Sequence, residues 1–116
     1  MNYRRAERLN SLMRDEISDI IRGRIKDPRI GFVTVTRVEV TDDLKFAKVY
    51  ISVLGDEAEK EKSVEGLKNA SGFIKRELKK RLYIRHIPEL IFQYDGSIEY
   101  SDRMNRIFKK LQGEEG

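Results

Sequence analysis

Leu9, Leu12, Met13, Ile17, Ile20, Ile21 and Ile25 recur at steps of three and four, which lines one face of a helix over residues 3 to about 25. Lys26-Asp27-Pro28-Arg29 then ends it, because proline cannot continue the hydrogen-bond ladder and the residue before it is pushed out of the α region. After Gly31 the period changes from 3.6 to 2. Phe32 to Val40 and Lys45 to Leu54 are rich in β-branched residues, and Thr41-Asp42-Asp43-Leu44 between them carries turn chemistry, so the two runs predict an antiparallel hairpin. In the second strand Ala47, Val49, Ile51 and Val53 alternate with Phe46, Lys48, Tyr50 and Ser52. The first strand changes parity, with Val33 and Val35 on one phase and Val38 and Val40 on the other, which predicts a bulge near Thr36 or Arg37.

Helical spacing returns from Ser63 to Leu82, with Val64, Leu67, Ser71, Ile74, Leu78 and Leu82 on one face. The charged stretch Gly55 to Lys62 leads into it and supplies its first turns. Asn69-Ala70-Ser71-Gly72 interrupts its middle with small or helix-averse residues, and a glycine inside a helix costs about 1 kcal/mol relative to alanine, so a kink is expected there. The break exposes the amides that begin the second half-helix, where phosphate is favoured. The same small residues also suit a close approach of two elements with no ligand. Pro88 forbids more helix, Glu89 to Tyr94 reads as a third strand, and Asp95-Gly96-Ser97 as a turn. Tyr100, Met104, Ile107, Phe108 and Leu111 predict a short C-terminal helix before a tail.

The order α-β-β-α-(kink)-α-β, with a short C-terminal helix, gives an α+β fold with a three-stranded sheet and helices on one face. At 116 residues the expectation is one domain, its core over about residues 3–95 and the C-terminal helix and tail over 97–116. Charged residues reach 38%, well above the usual quarter. Cysteine is absent, which removes disulfides, thiolate chemistry and cysteine metal sites, and His86 is the only histidine, so neither a metal nor a cofactor is expected. Without a membrane-length apolar run or a secretory signal at the N-terminus, a soluble, cytoplasmic protein is expected.

Charge is segregated. Between Lys68 and Arg85 lie seven cations, Lys68, Lys75, Arg76, Lys79, Lys80, Arg81 and Arg85, against the single acid Glu77, although the whole chain carries only +4. Clustering of this kind favours a polyanionic partner, nucleic acid above all, over a merely solvated face. Arg4, Arg5 and Arg8 occupy the first turns of the first helix, where cations oppose the dipole; a frayed solvated end and phosphate contact are equally open readings. The candidate nucleic-acid-binding set is therefore Arg4, Arg5, Arg8, Lys68, Asn69, Ala70, Ser71, Gly72, Lys75, Arg76, Lys79, Lys80, Arg81 and Arg85. Phe46 and Tyr50 share a strand face that could stack on bases, though such aromatics more often cover a sheet. Asp42 and Asp43 serve turn geometry, no G-x-x-x-x-G-K-[ST] phosphate loop occurs, and no catalytic constellation forms, so catalysis is not expected.

The element order, with Asn69 to Gly72 between its paired helices, resembles the type II K-homology (KH) fold, in which a Gly-x-x-Gly loop joins those helices. Here Ala70-Ser71-Gly72 makes an Ala-x-Gly kink instead. With the arginine-bearing N-terminal helix, the run RIKDPRIGFVTVTRVEVTDDLKFAKVYISVLG and the run IRHIPELIFQYDGSIEYSDRMNRIF, the chain resembles the bacterial ribosome-binding factor A family over roughly Arg4 to Leu111. The resemblance implies an assembly factor that binds the free small (30S) ribosomal subunit or its precursor. It further implies help in late 16S rRNA maturation and end processing, a part in cold adaptation, and release involving an assembly GTPase. A monomer acting by binding, without catalysis, is the expectation, and a stand-alone KH-like single-stranded RNA-binding protein is the alternative.

Overall fold

The computed structural model describes residues 2–96, with side chains from residue 6 onward. Helix α1 runs Asn2–Arg24 and turns Ala6, Met13, Ile17, Ile20 and Ile21 into the core, with Leu9 and Ile25 packed at its margin. Leu12, expected on the same face, stands 46% exposed. The Asp27–Pro28 turn closes as its chemistry dictates. Asp27 accepts from the backbone N–H of Arg29 at 2.9 Å and from its guanidinium at 2.8 Å, while Ile30 N–H returns to the Asp27 carbonyl.

Strands β1 (Val33–Val40) and β2 (Phe46–Val53) pair antiparallel, and the register slips between Val35 and Arg37, where the parity change places it. The bulge keeps Val35, Val38 and Val40 all on the buried face. It also lets Thr36 donate to Asp95 Oδ2 at 2.6 Å, which ties β1 to the chain just past the third strand. At the hairpin tip Asp43 accepts from Thr41 Oγ1 at 2.6 Å and from Lys45 N–H at 3.0 Å, and Leu44 has φ 62. Strand β3 (Glu89–Tyr94) pairs parallel with β2, so the mixed sheet has the order β1-β2-β3.

The parallel crossover is made by helices α2 (Glu57–Asn69) and α3 (Ser71–Arg81). Asp56 caps α2, accepting from Glu59 N–H at 2.8 Å, and Glu57 and Glu59 complement the dipole of the first turn. Leu67 from α2, with Ile74 and Leu78 from α3, is fully buried, and Leu82 follows at 5% exposure. Two buried contacts were not legible as such. Ser63 is only 1% exposed and accepts from Gly31 N–H at 3.2 Å, and a Cβ at Gly66 would lie 2.8 Å from Ile30 Cγ1. The tightest approach that a small residue permits is therefore at Gly66; Ala70 is half-buried against the core, and the only neighbour of an added Cβ at position 72 is a flexible arginine end at 3.6 Å.

The three described helices lie on the face formed by Val35, Val38, Ala47, Val49, Ile51 and Phe92, so the fold is α+β with one core layer between sheet and helices. The opposite sheet face is wet. There Arg37 lies over the Tyr50 ring at 4.0 Å and pairs with Glu39 at 2.9 Å, so the face of Tyr50 is taken by its own chain, while Phe46 is 44% exposed. The expected helix over residues 100–111 lies outside the described residues. Among those described, no helix is long and apolar enough to cross a membrane.

Candidate nucleic-acid interface

The kink sits at Ala70. Its backbone (φ −88°, ψ 0°) leaves the helical region, its N–H bonds back to Gly66 and Leu67 carbonyls, and its carbonyl receives Ile74 N–H at 3.0 Å. One residue thus closes α2 and opens α3. No side chain caps the start of α3 and no acid lies in its first turn, so no side chain competes there with a bound anion. Gly72 is exposed there, and the 3.6 Å from its open Cβ position to Arg76 Nη1 shows the guanidinium reaching back over the kink. Without a side chain at residue 72, Arg76 can lie beside the amides that a phosphate would use.

Tertiary structure sorts the seven cations into two groups. Arg81 Nη1 binds Glu16 at 3.0 Å and Asp19 at 2.6 Å, which clamps the end of α3 to α1. Lys75 binds Glu89 at 2.8 Å and ties α3 to the start of β3. Lys80 stays 75% exposed, with Glu77 at 3.8 Å. Lys68, Arg76, Lys79 and Arg85 are exposed and carry no ion pair among the described residues. The two pinned cations hold α3 by its flanks, and the outward strip between them presents Gly72, Arg76 and Lys79 at steps of four and three. Lys75, Arg76, Lys79, Arg85 and His86 converge on a hollow of about 290 Å³ where the α3–β3 loop meets the helix. His86 was not part of the expected set; the loop folding back beneath α3 brings it in.

Arg8 is exposed and lines a larger groove, which it shares with Arg85. The side chains of Arg4 and Arg5 lie outside the described residues, within α1 by their backbone. Lys68 and Asn69 are exposed on the last turn of α2, and Ala70 and Ser71 are half-buried at the joint. On the other side of α2 the hollow against β3 is lined by Glu57, Glu61 and Glu65 as well as Lys60 and Lys68. A polyanion is repelled from that side and drawn to α3. Among the described residues no group of three or more His, Cys, Asp or Glu side chains could hold a metal ion.

The clamp also sets an acid limit on the fold. The hydrogen bond from Arg81, and then its charge, hold the Asp19 carboxyl below its ordinary value of 3.8; Arg29 does the same for Asp27, and Thr41 and the Lys45 amide for Asp43. Carboxylates lowered on folding contribute stability that is present above the ordinary value and is lost as pH falls through the lowered one. The melting temperature should therefore be level from about pH 5 to 8 and fall below about pH 4. In Asp19→Asn the midpoint near neutrality is lower and the acid-side fall shallower, which thermal melts across pH measure.

Three comparisons bear on this geometry. The family model of ribosome-binding factor A matches residues 5–108. A ribosome-binding factor A from Halothermothrix orenii is 48% identical over 99% of this chain and 94% of its own. Among solved structures, ribosome-binding factor A from Thermus thermophilus superposes with a TM-score of 0.70 at 24% identity, covering 77% of this chain and 93% of that one. Coordinates of the Thermus thermophilus protein fitted into a cryo-EM map of a complex with the 30S subunit superpose with a TM-score of 0.64 at 23% identity, over 75% and 91% of the two chains.

Proposed function

Because the chain belongs to the ribosome-binding factor A family, we propose that it binds the free small ribosomal subunit or its late precursor through rRNA and assists 16S maturation and end processing. The observation that carries this reading is the exposed cationic strip on α3, oriented by the ion pairs of Lys75 and Arg81 and opening on an uncapped helix start. RNA phosphates seat on Arg76, Lys79, Lys80 and Arg85 and on the amides after Ala70, and Arg8 with Arg4 and Arg5 touches a second strand. Lys75 and Arg81 act chiefly as positioning residues, since their charges are matched within the fold. Lys68, Asn69, Ser71 and Gly72 border the same seat.

Contacts of this kind read the shape of folded RNA more than its sequence. The protein acts without bond chemistry: by binding one conformer of a maturing rRNA junction more tightly than another, it shifts the population toward that conformer. The benefit is largest in the cold, where misfolded rRNA conformers interconvert slowly. Release is assisted by an assembly GTPase, and the factor works as a monomer in the cytoplasm, one domain over residues 1–116. Co-sedimentation with separated small subunits, large subunits and assembled ribosomes tests this. Binding confined to free small subunits, weakening by about one to three decades between low and moderate salt, is the expected result. Equal binding to all particles, or a flat salt response, overturns it.

A further inference from the structure

Beyond the strip on α3, the α3–β3 loop, the hairpin tip and α1 enclose a groove of about 770 Å³, within the usual range for a ligand site. Its apolar wall is made by Leu9, Leu12, Leu44, Ile84, Ile87 and Pro88. Its cations are Arg8, Lys45 and Arg85, with His86 beside them, and its two acids are already engaged, Glu89 by Lys75 and Asp43 by Thr41 and the Lys45 amide. Tyr83 also lines it with its side chain wholly in solvent, at 105% of full exposure. A tyrosine so placed buries nothing of its own fold. Leu44 adopts φ 62, a conformation that costs a side-chain-bearing residue energy, and it too lines the groove.

We propose that this groove receives an unstacked base of the bound RNA, with Tyr83 as its stacking platform. An apolar slot ringed by cations suits a ligand that is flat and aromatic at one end and anionic at the other, which describes a nucleotide and not an apolar peptide. Continuity supports the assignment. Arg85, His86 and Ile87 line both this groove and the hollow against α3, so a strand whose phosphates follow Arg76 and Lys79 is led to the slot. The site therefore recognises rRNA with a nucleotide extruded from its stack, a feature of junctions and of helices not yet formed. The assignment rests on the rRNA-binding reading above.

The chain contains no tryptophan, so Tyr83→Trp in the full-length protein gives a single reporter. Titrated with small subunits, its fluorescence should be quenched with the same concentration dependence as co-sedimentation. A photoreactive p-azidophenylalanine in place of Tyr83 should cross-link to rRNA. Tyr83→Ala should weaken binding about 5- to 100-fold with an unchanged melting temperature. Co-sedimentation without quenching, or a cross-link to a ribosomal protein, overturns the base site and leaves the rRNA-binding reading standing. Absence of co-sedimentation overturns both.

Discussion

Replacing Arg76, Lys79 and Arg85 together by alanine should lower affinity for the small subunit by about two to three decades near 0.1 M salt while leaving the fold intact. The size follows from counterion release. Each neutralised phosphate contributes a slope of about 0.7 to 0.9 in log affinity against log salt, which near 0.1 M amounts to somewhat under one decade per contact. Three lost contacts should also flatten the salt slope by about two to three. The fold should not respond, because all three side chains are exposed and make no ion pair among the described residues. Sedimentation at several salt concentrations measures affinity and slope, and a thermal melt supplies the control. A variant that melts normally and still binds with the wild-type salt slope would remove α3 from the interface.

Lys75→Ala and Arg81→Ala separate the two kinds of cation on the same helix. Both side chains are matched by acids that come from other elements, Glu89 at the start of β3 and Glu16 with Asp19 on α1. Their removal should disturb how α3 is held and change the salt slope less than the loss of an exposed cation. A count of charges along the sequence could not make this distinction. Glu16 and Asp19 lie more than sixty residues from Arg81, and only the packing of α1 against α3 brings them within reach.

Local pattern, by contrast, foretold much of the fold. The change of parity between Val35 and Val38 announced the bulge because a period of two leaves no other way to keep both pairs of valines inside. The interrupted helix was legible in Asn69 to Gly72, whose residues disfavour a continuous helix, and the break falls at Ala70 within that stretch. The burial of Ser63 was not legible, since a serine signals solvent until the loop at Arg29 to Gly31 folds over it and takes its hydroxyl. Tyr83 and His86 were missed for a related reason. Each reads as loop by sequence, and each gains a setting only when the residues after α3 turn back toward α1 and the hairpin tip.

Leu78→Ala tests the link between core and interface. Leu78 is fully buried in the cluster that joins α3 to the rest of the core, and truncating such a leucine costs about 2 to 5 kcal/mol through lost transfer energy and the cavity left behind. Against the 5 to 15 kcal/mol typical of a domain, this is a large share, and the melting temperature should fall by about 10 to 20 °C. In urea the midpoint should drop with the slope unchanged if unfolding stays two-state. Because Leu78 lies one turn from both Ile74 and Arg81, its loss also loosens the seat that orients Arg76 and Lys79. Binding should therefore weaken together with stability, and Leu78→Met, which preserves volume, should restore both to within about 1.5 kcal/mol. The alanine triple should lose binding alone, and Leu78→Ala should lose both. If Leu78→Ala instead bound with wild-type affinity at a temperature where it is folded, the cations would not need a rigid helix to find their phosphates.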